Sequence, residues 1–456
     1  MSSQPTSNLA SGWLDLAAFA DLDTVIYDGP QVTTLHSKEI NPVSYFTRIP
    51  VPMKGTGQSS SVTYTYAKSA DFAENTWFVY NTPDITVNAG VQNLYRIAYC
   101  PNQGHNAVNT GAFCVNDIPI VKFDSIAMDQ LSEANLNNNV YDAYMRMIGN
   151  TNKAVNWTSH LPPIKVKVPL HELWYCQKED PVPGNALPLC CLKQNTVTLQ
   201  FEFVSSFTEL IRIQQNQAAN PSADPANWQD INPANVNLAN IVTVLGPNGL
   251  AFPTPYMWTE YVLVQDDERA MDQASTIDTI IEQVQRFSSQ KMAVGDTRFT
   301  FHFSYPMRYL LFAALNQNAV TNNYYSNYTT NPLDNTAGLD PIRQVTLWYD
   351  NVARFQNFYG DHFSDLEFMW HAARVPAVTG MHLLAYCYKT TATEIDGSSN
   401  YSKLATDLEV IISETSTDTT DPATIPSQYT VEIVGTSMNL VRIAGGALAF
   451  PSFSSA

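Results

Sequence analysis

The chain has 456 residues, enough for two large β domains or two to three average ones. Charged residues make up only 14% against 45% hydrophobic, and the net charge is −18 with no Lys/Arg cluster. That balance excludes nucleic-acid binding by phosphate neutralisation and direct attraction to an anionic membrane surface. A polar but weakly charged surface suits a protein largely covered by neighbours.

Residues 1–30 read as an arm. A polar start leads into Trp13, Leu14, Leu16, Ala17 and Phe19 at roughly helical spacing, and Asp28-Gly29-Pro30 ends it with turn chemistry. The N-terminus lacks the basic-then-apolar pattern of a secretion signal, and no apolar run approaches the roughly 20 residues that span a bilayer. The cysteines, Cys100, Cys114, Cys176, Cys190, Cys191 and Cys387, include no CxxC pair and are expected as buried thiols of a reducing compartment.

From the arm onward the pattern has period two. Residues 54–60, with Gly55 and Gly57, predict a hairpin loop. Val62, Tyr64 and Tyr66 then alternate with Ser61, Thr63 and Thr65. Residues 124–147 carry apolar positions at helical spacing and predict one or two short helices. Val197, Leu199, Phe201 and Phe203 alternate with polar residues, as do Phe299, Phe301 and Phe303, then Val345, Leu347 and Tyr349, and finally Val431 and Ile433. Short strands separated by Gly, Pro and Asn predict an antiparallel sandwich architecture. Residues 214–255, 316–339 and 413–428 are rich in Asn, Pro, Ser and Thr and read as long loops. Between two strand-rich halves lies a short joint, residues 266–279. Asp266 and Asp267 are placed to cap a helix through Ala274, followed by Ile280-Ile281-Glu282-Gln283-Val284-Gln285.

Catalytic and metal signatures are absent. The histidines, His36, His105, His160, His171, His302, His362, His371 and His382, form no HxH or HExxH, so no metal site is expected. GxSxG and GxxxxGK[ST] do not occur. Glu202, Glu260, Glu282 and Glu367 sit in strand-like contexts and would make a glycosidase only if two faced one cleft. Asn156, Asn327 and Asn400 begin N-x-[ST] triplets and are weak glycosylation candidates. Aromatic residues concentrate at Tyr324, Tyr325, Tyr328, Phe355, Phe358, Tyr359, Phe363, Phe368 and Trp370, a composition that serves protein interfaces or a carbohydrate platform.

Seven segments stand in order along the chain: Ser44-Tyr45-Phe46-Thr47-Arg48-Ile49-Pro50-Val51-Pro52, Val115-Asn116-Asp117 through Phe123-Asp124, Met147-Ile148-Gly149-Asn150, Val168-Pro169-Leu170 with Ala186-Leu187-Pro188-Leu189, Asp267-Glu268-Arg269 with Ile281-Glu282-Gln283-Val284-Gln285, Gly397-Ser398-Ser399-Asn400-Tyr401-Ser402, and Asn439 through Phe450. As an ordered set they resemble the major capsid proteins of nucleocytoplasmic large DNA viruses, iridovirus-like and ascovirus-like members in particular. Gly360 through Phe363 follows the family pattern with His362 in place of the usual Tyr.

The resemblance implies an all-β chain of two consecutive eight-stranded antiparallel jelly rolls, a double jelly roll, with a few short helices and long loops. The divisions are an N-terminal arm 1–30, a first jelly roll 31–265, a joint 266–279 and a second jelly roll 280–456. It implies a structural protein, not an enzyme, with no catalytic residues, no cofactor and no small-molecule substrate. Its partners would be itself, as a homotrimer packed against neighbouring trimers, together with minor capsid and penton proteins and an internal viral membrane facing the arm. It would reside in the virion after assembly in the host cytoplasm. Residues 45–52 and 440–451 are expected as buried scaffold, Arg442 as a residue that docks domains or trimers, and 214–255 and 316–339 as tower-like tops. A carbohydrate-binding β-sandwich and a jelly-roll glycoside hydrolase are the alternatives.

Overall fold

The structure is a computed structural model that describes residues 48–58, 60–176, 186–218, 221, 227–392, 397–402, 405–412 and 428–450. The arm, 1–30, and most of the loop 413–428 lie outside the described residues.

In the first half the framework strands are β1 (Arg48–Pro52), β2 (Ser61–Thr65), β3 (Phe72–Asn81), β4 (Val108–Val115), β5 (Ile118–Phe123), β6 (Lys165–Pro169), β7 (Val197–Phe203) and β8 (Tyr256–Val262). They form two antiparallel sheets, in the orders β1-β8-β3-β6 and β2-β7-β4-β5. The second half repeats the pattern with β9 (Ile277–Ser288), β10 (Gly295–Phe301), β11 (Pro306–Asn316), β12 (Ile342–Tyr349), β13 (Val352–Tyr359), β14 (Met381–Ala385), β15 (Thr406–Ile412) and β16 (Tyr429–Ala444). Its sheets run β9-β16-β11-β14 and β10-β15-β12-β13. Counted within each half, both give first-eighth-third-sixth and second-seventh-fourth-fifth, the strand order of a jelly roll. The expected double jelly roll is what the chain forms.

Alternation drives the first core. On β7, Val197, Leu199, Phe201 and Phe203 are buried. Phe78 of β3 reaches across the sandwich, with its ring centroid 5.9 Å from Phe201 and 5.5 Å from Phe203, both edge-on. Gly111 of β4 lies under these rings: a Cβ there would sit 2.5 Å from Phe123 and 3.0 Å from Phe201. Residues 54–58 are not a hairpin loop as expected. They form an extra edge strand beside β2, in which Gly57 takes φ +128°, a conformation open to glycine.

β11 and β16 break the alternation. Every residue of β11 is buried. Leu310, Phe312 and Ala314 face the second sandwich core, whereas Tyr309 and Leu311 belong to the core that fills the first half. A strand covered on both faces reads as a continuous apolar run.

The long loops are more ordered than their composition suggests. Strands at Ile211–Asn216, Trp228–Ile231 and Val242–Leu245, inserted between β7 and β8, join Tyr95–Tyr99, Asp84–Val87 and His160–Leu161 in two small sheets. Arg212 and Gln214 both bind Asp230, at 2.7 and 2.5 Å, and fix the pairing. In 316–339 the side chains of Asn316, Asn327, Asn331 and Asp334 each accept a backbone N–H two residues on, at 2.9–3.1 Å. Short polar side chains thus close successive turns and satisfy backbone that would otherwise be lost to water. At the edges, Ile49 and Val51 of β1 are exposed, so that end of the expected scaffold is not buried, and residues 444–450 are exposed or half-buried after the buried Leu440, Val441 and Ile443 of β16.

Phe78 touches both ends of the β7 aromatic row. Phe78→Ala should cost about 3–5 kcal/mol, read by denaturant unfolding, because the rigid strands around it cannot collapse into the vacated volume.

Candidate functional site: the junction of the two sandwiches

Among the described residues no group of three or more His, Cys, Asp or Glu is placed to hold a metal ion. The side chains that stand out physically instead line the seam between the halves.

Helix α1 (Ser125–Asn135) follows β5 directly. Asp124 caps it by accepting the Ala127 N–H at 2.9 Å, and helix α2 (Asn138–Met147) is capped in the same way by Asn137. One or two short helices were expected here, and two form. Ala127, Met128, Leu131 and Ala134 of α1 sit in one continuous core with Tyr309, Leu311, Leu383 and Val434 from the outer face of sheet β9-β16-β11-β14. Beside them β5 packs against β9, where the Gln283 side chain donates to the Ile120 carbonyl at 2.8 Å.

Polar contacts ring this apolar patch. Asn135 donates to the Tyr309 hydroxyl at 3.2 Å, and the Ala373 N–H donates to the Ala134 carbonyl at 3.0 Å. Arg286 of β9 pairs with Asp124 and with Glu432. Arg374 pairs with Glu133 and lies over the Tyr141 ring. Burial pushes the Arg374 guanidinium down to about 10, so it stays charged at neutral pH. Removing one partner of a buried pair strands the other charge, which is why such pairs impose specificity.

A second cluster ties the loop 316–339 to the first half. Asp129 of α1 accepts from His105 at 2.5 Å, from Asn102 at 3.1 Å and from the Ser326 hydroxyl, while His105 reaches the Tyr144 hydroxyl at 2.6 Å. Asn106 donates to Ser326 at 3.1 Å. The Asn323 side chain donates to the carbonyls of Thr208 and Ile211 at 2.8 and 2.9 Å, and Arg212 bonds the Leu333 carbonyl at 3.2 Å while stacking over Tyr324. The loop aromatics Tyr324 and Tyr328, weighed above as a platform, are buried in this contact.

The joint forms helix α3 (Asp266–Ala274), with Asp266, Asp267 and Glu268 in its first turn but no side-chain cap. Asp266 bonds Arg269 at 2.6 Å instead. The same guanidinium reaches back to Asp71, just before β3, with contacts of 2.5 and 2.9 Å. Burial alone would raise the Asp71 carboxyl; the Arg269 and Val264 hydrogen bonds and the guanidinium charge outweigh it and hold it below the usual carboxylate range.

Several sequence-predicted residues are held by partners of their own. Arg442 grips Asp278, its direct cross-strand partner on β9, through bonds of 2.7 and 2.9 Å. The chain end does meet the first half one turn later, where Gln194 donates to the Gly446 carbonyl at 3.0 Å and Leu448 to Asn195 at 3.1 Å. Glu202, Glu260, Glu282 and Glu367 are separately engaged, by Thr110, Asn75, Arg308 and the pair His362/His371. Asn156 is exposed, Asn400 is buried on a short strand, and Asn327 is 0% exposed with its amide donating to the Asn331 carbonyl at 2.8 Å. All six cysteines are buried thiols. The α1 face, Asp129, His105 and Ser326 were not singled out from sequence. The local trace was the helical spacing of apolar residues over 124–147; the second-half partners Tyr309 and Ser326 lie 174 and 197 residues from Asn135 and Asp129.

Two outcomes follow from this geometry. A group held below its unfolded pKa adds stability above that pKa, and the gain is lost as pH falls through the folded one. Asp71→Asn should therefore lower the melting temperature at pH 7, and the gap to the parent chain should close below about pH 4, near the ordinary Asp pKa. Intact-mass analysis of protein made in eukaryotic cells should show no hexose increments at Asn327 or Asn400, because neither amide is open to an enzyme in the folded chain.

Comparison with known proteins agrees with this architecture. The family described as "Major capsid protein N-terminus" matches residues 34–265, and that described as "Large eukaryotic DNA virus major capsid protein" matches residues 268–449. The major capsid protein of Tipula iridescent virus is 28% identical, with 97% of this chain and 98% of that protein covered. That of Frog virus 3 is 26% identical, covering 99% of this chain and 100% of that protein. Among solved structures, VP54 of PBCV-1 superposes with a TM-score of 0.64 at 16% identity, covering 91% of this chain and 99% of that one. The Faustovirus major capsid protein gives 0.62 at 10% identity, covering 96% and 98%. With matches that span both sandwiches and the α3 joint, the chain belongs to the major capsid proteins of large eukaryotic DNA viruses.

Proposed function

We propose that three copies of this chain form a pseudo-hexagonal capsomer that assembles into the outer icosahedral shell of a large DNA virus. The observation that carries this reading is the repeated strand order. One chain supplies two similar modules, so a threefold ring supplies six, and a near-hexagonal block tiles a flat facet with few distinct contacts. The division into a first jelly roll 31–265, a joint 266–279 and a second jelly roll 280–456 goes with this proposal. So does a non-enzymatic role in the virion, after assembly in the host cytoplasm beside minor capsid and penton proteins and an internal membrane. The engaged state of the four candidate glutamates and the burial of Tyr324 and Tyr328 favour this over the hydrolase and sugar-binding readings.

Light scattering on a sizing column should give about 152 kDa, three times the 50.7 kDa chain, and electron micrographs of that peak should show hexagonal particles. A well-folded species near one chain's mass would overturn the trimer.

A further inference from the structure

A cavity of about 530 Å³ opens where β13 ends and the helical segment 362–371 begins, a size that takes small organic ligands. Constrained backbone shapes it. Asn357 takes φ +56°, and its N–H donates to the Thr346 hydroxyl of β12 at 3.0 Å. Gly360 passes so close to β12 that a Cβ there would sit 2.2 Å from the Ile342 carbonyl oxygen. The segment then opens with a π-helical turn, His362–Leu366, before the α-helical turn Glu367–His371. A left-handed residue other than glycine and a π-helical turn are both uncommon, and both concentrate at functional sites.

The walls carry two chemistries. Phe358 and Tyr359 give aromatic surface, 42% and 61% exposed. Asp361 and Asp365 give two exposed carboxylates about one helical turn apart, a spacing at which like charges repel. Asp365 accepts from the Ser364 hydroxyl at 3.3 Å, and among the described residues no Lys or Arg pairs with either carboxylate. Gln356 and Asn357 add neutral amides to the lining. An ammonium group suits both kinds of wall. It donates charge-assisted hydrogen bonds to a carboxylate, and an aromatic face attracts it through the ring quadrupole. Two carboxylates at this spacing match two ammonium groups joined by a short alkyl chain, and the chain itself packs on the rings. A quaternary ammonium matches less well, because it has no N–H to donate to either carboxylate.

We propose that this cavity binds a small aliphatic diamine or polyamine. One ammonium group sits on Asp361 and another on Asp365, with the alkyl chain against Phe358 and Tyr359. Seating the cations removes the repulsion between the carboxylates and ties the end of β13 to the first turns of the segment. The lining comes from one chain, so the site goes beyond the capsomer reading and does not depend on it.

The test is calorimetric titration of the full chain with putrescine, butylamine and choline, at neutral pH and low salt, on a sample of known native mass. The expected result is one saturable putrescine site per chain, weakened by added salt. Butylamine should bind about tenfold more weakly, as should putrescine to Asp361→Asn or to Asp365→Asn, each having lost one charge-assisted hydrogen bond. Both aspartates are exposed, and the comparison of amines needs no variant at all. No saturable putrescine binding would overturn the site, and in a sample of three-chain mass it would mean that a neighbouring copy fills the cavity. Equal affinity for butylamine, or for choline, would overturn the two-carboxylate assignment, as would unchanged binding in the double aspartate variant. A native mass of one chain with putrescine still bound would overturn the trimer and leave this site standing.

Discussion

One sheet of this protein is apolar on both faces, and the rest of the chain is arranged to cover it. In β9-β16-β11-β14 the inner face packs the second sandwich and the outer face presents Tyr309, Leu311, Leu383 and Val434. Water on that outer face would cost about 25 cal/mol for each Å² of apolar surface left uncovered. The first half removes the cost with helix α1 and strand β5. The two jelly rolls are therefore one folding problem: the outer face of the second is part of the core of the first.

The polar contacts at the seam act on geometry more than on affinity. Arg286 with Asp124 and Glu432, Arg374 with Glu133, and Asp129 with His105 and Ser326 all surround or border the apolar patch. Buried ion pairs contribute little net stability against well-packed apolar residues, yet a misaligned seam would leave each of them unpaired. They select one relative placement of the halves. A capsid protein needs that, because an error of orientation inside one chain would recur in every copy.

Duplication with divergence gives the same architecture two kinds of surface. The Asx turns of 316–339 and the small sheets inserted between β3 and β4 and between β7 and β8 elaborate one half against the other. Segment 362–371 is shorter than the α1–α2 pair and leaves its aromatics outward. Similar strands, decorated differently, let one seam close within the chain while the aromatics of segment 362–371 stay exposed.

Much of the fold was legible in the amino-acid sequence because its causes are local. Period-two alternation marks β7, the Asp124 cap marks the start of α1, and the acidic turn at Asp266 marks the joint. The ordered resemblance to a capsid family supplied the doubling of the jelly roll. The strands inside 214–255 were missed because Asn- and Pro-rich composition reads as loop, whereas 316–339 is the loop it was read as, closed by its own side chains. The partner of Arg442 within the chain was not legible because a strand residue's partner depends on register, which places Asp278 opposite it. What only the tertiary structure decided was coverage. Which face of β11 meets α1, why Tyr324 is inside and Trp370 outside, and which carboxylate meets Arg269 depend on contacts between residues far apart in the chain, which no local pattern records.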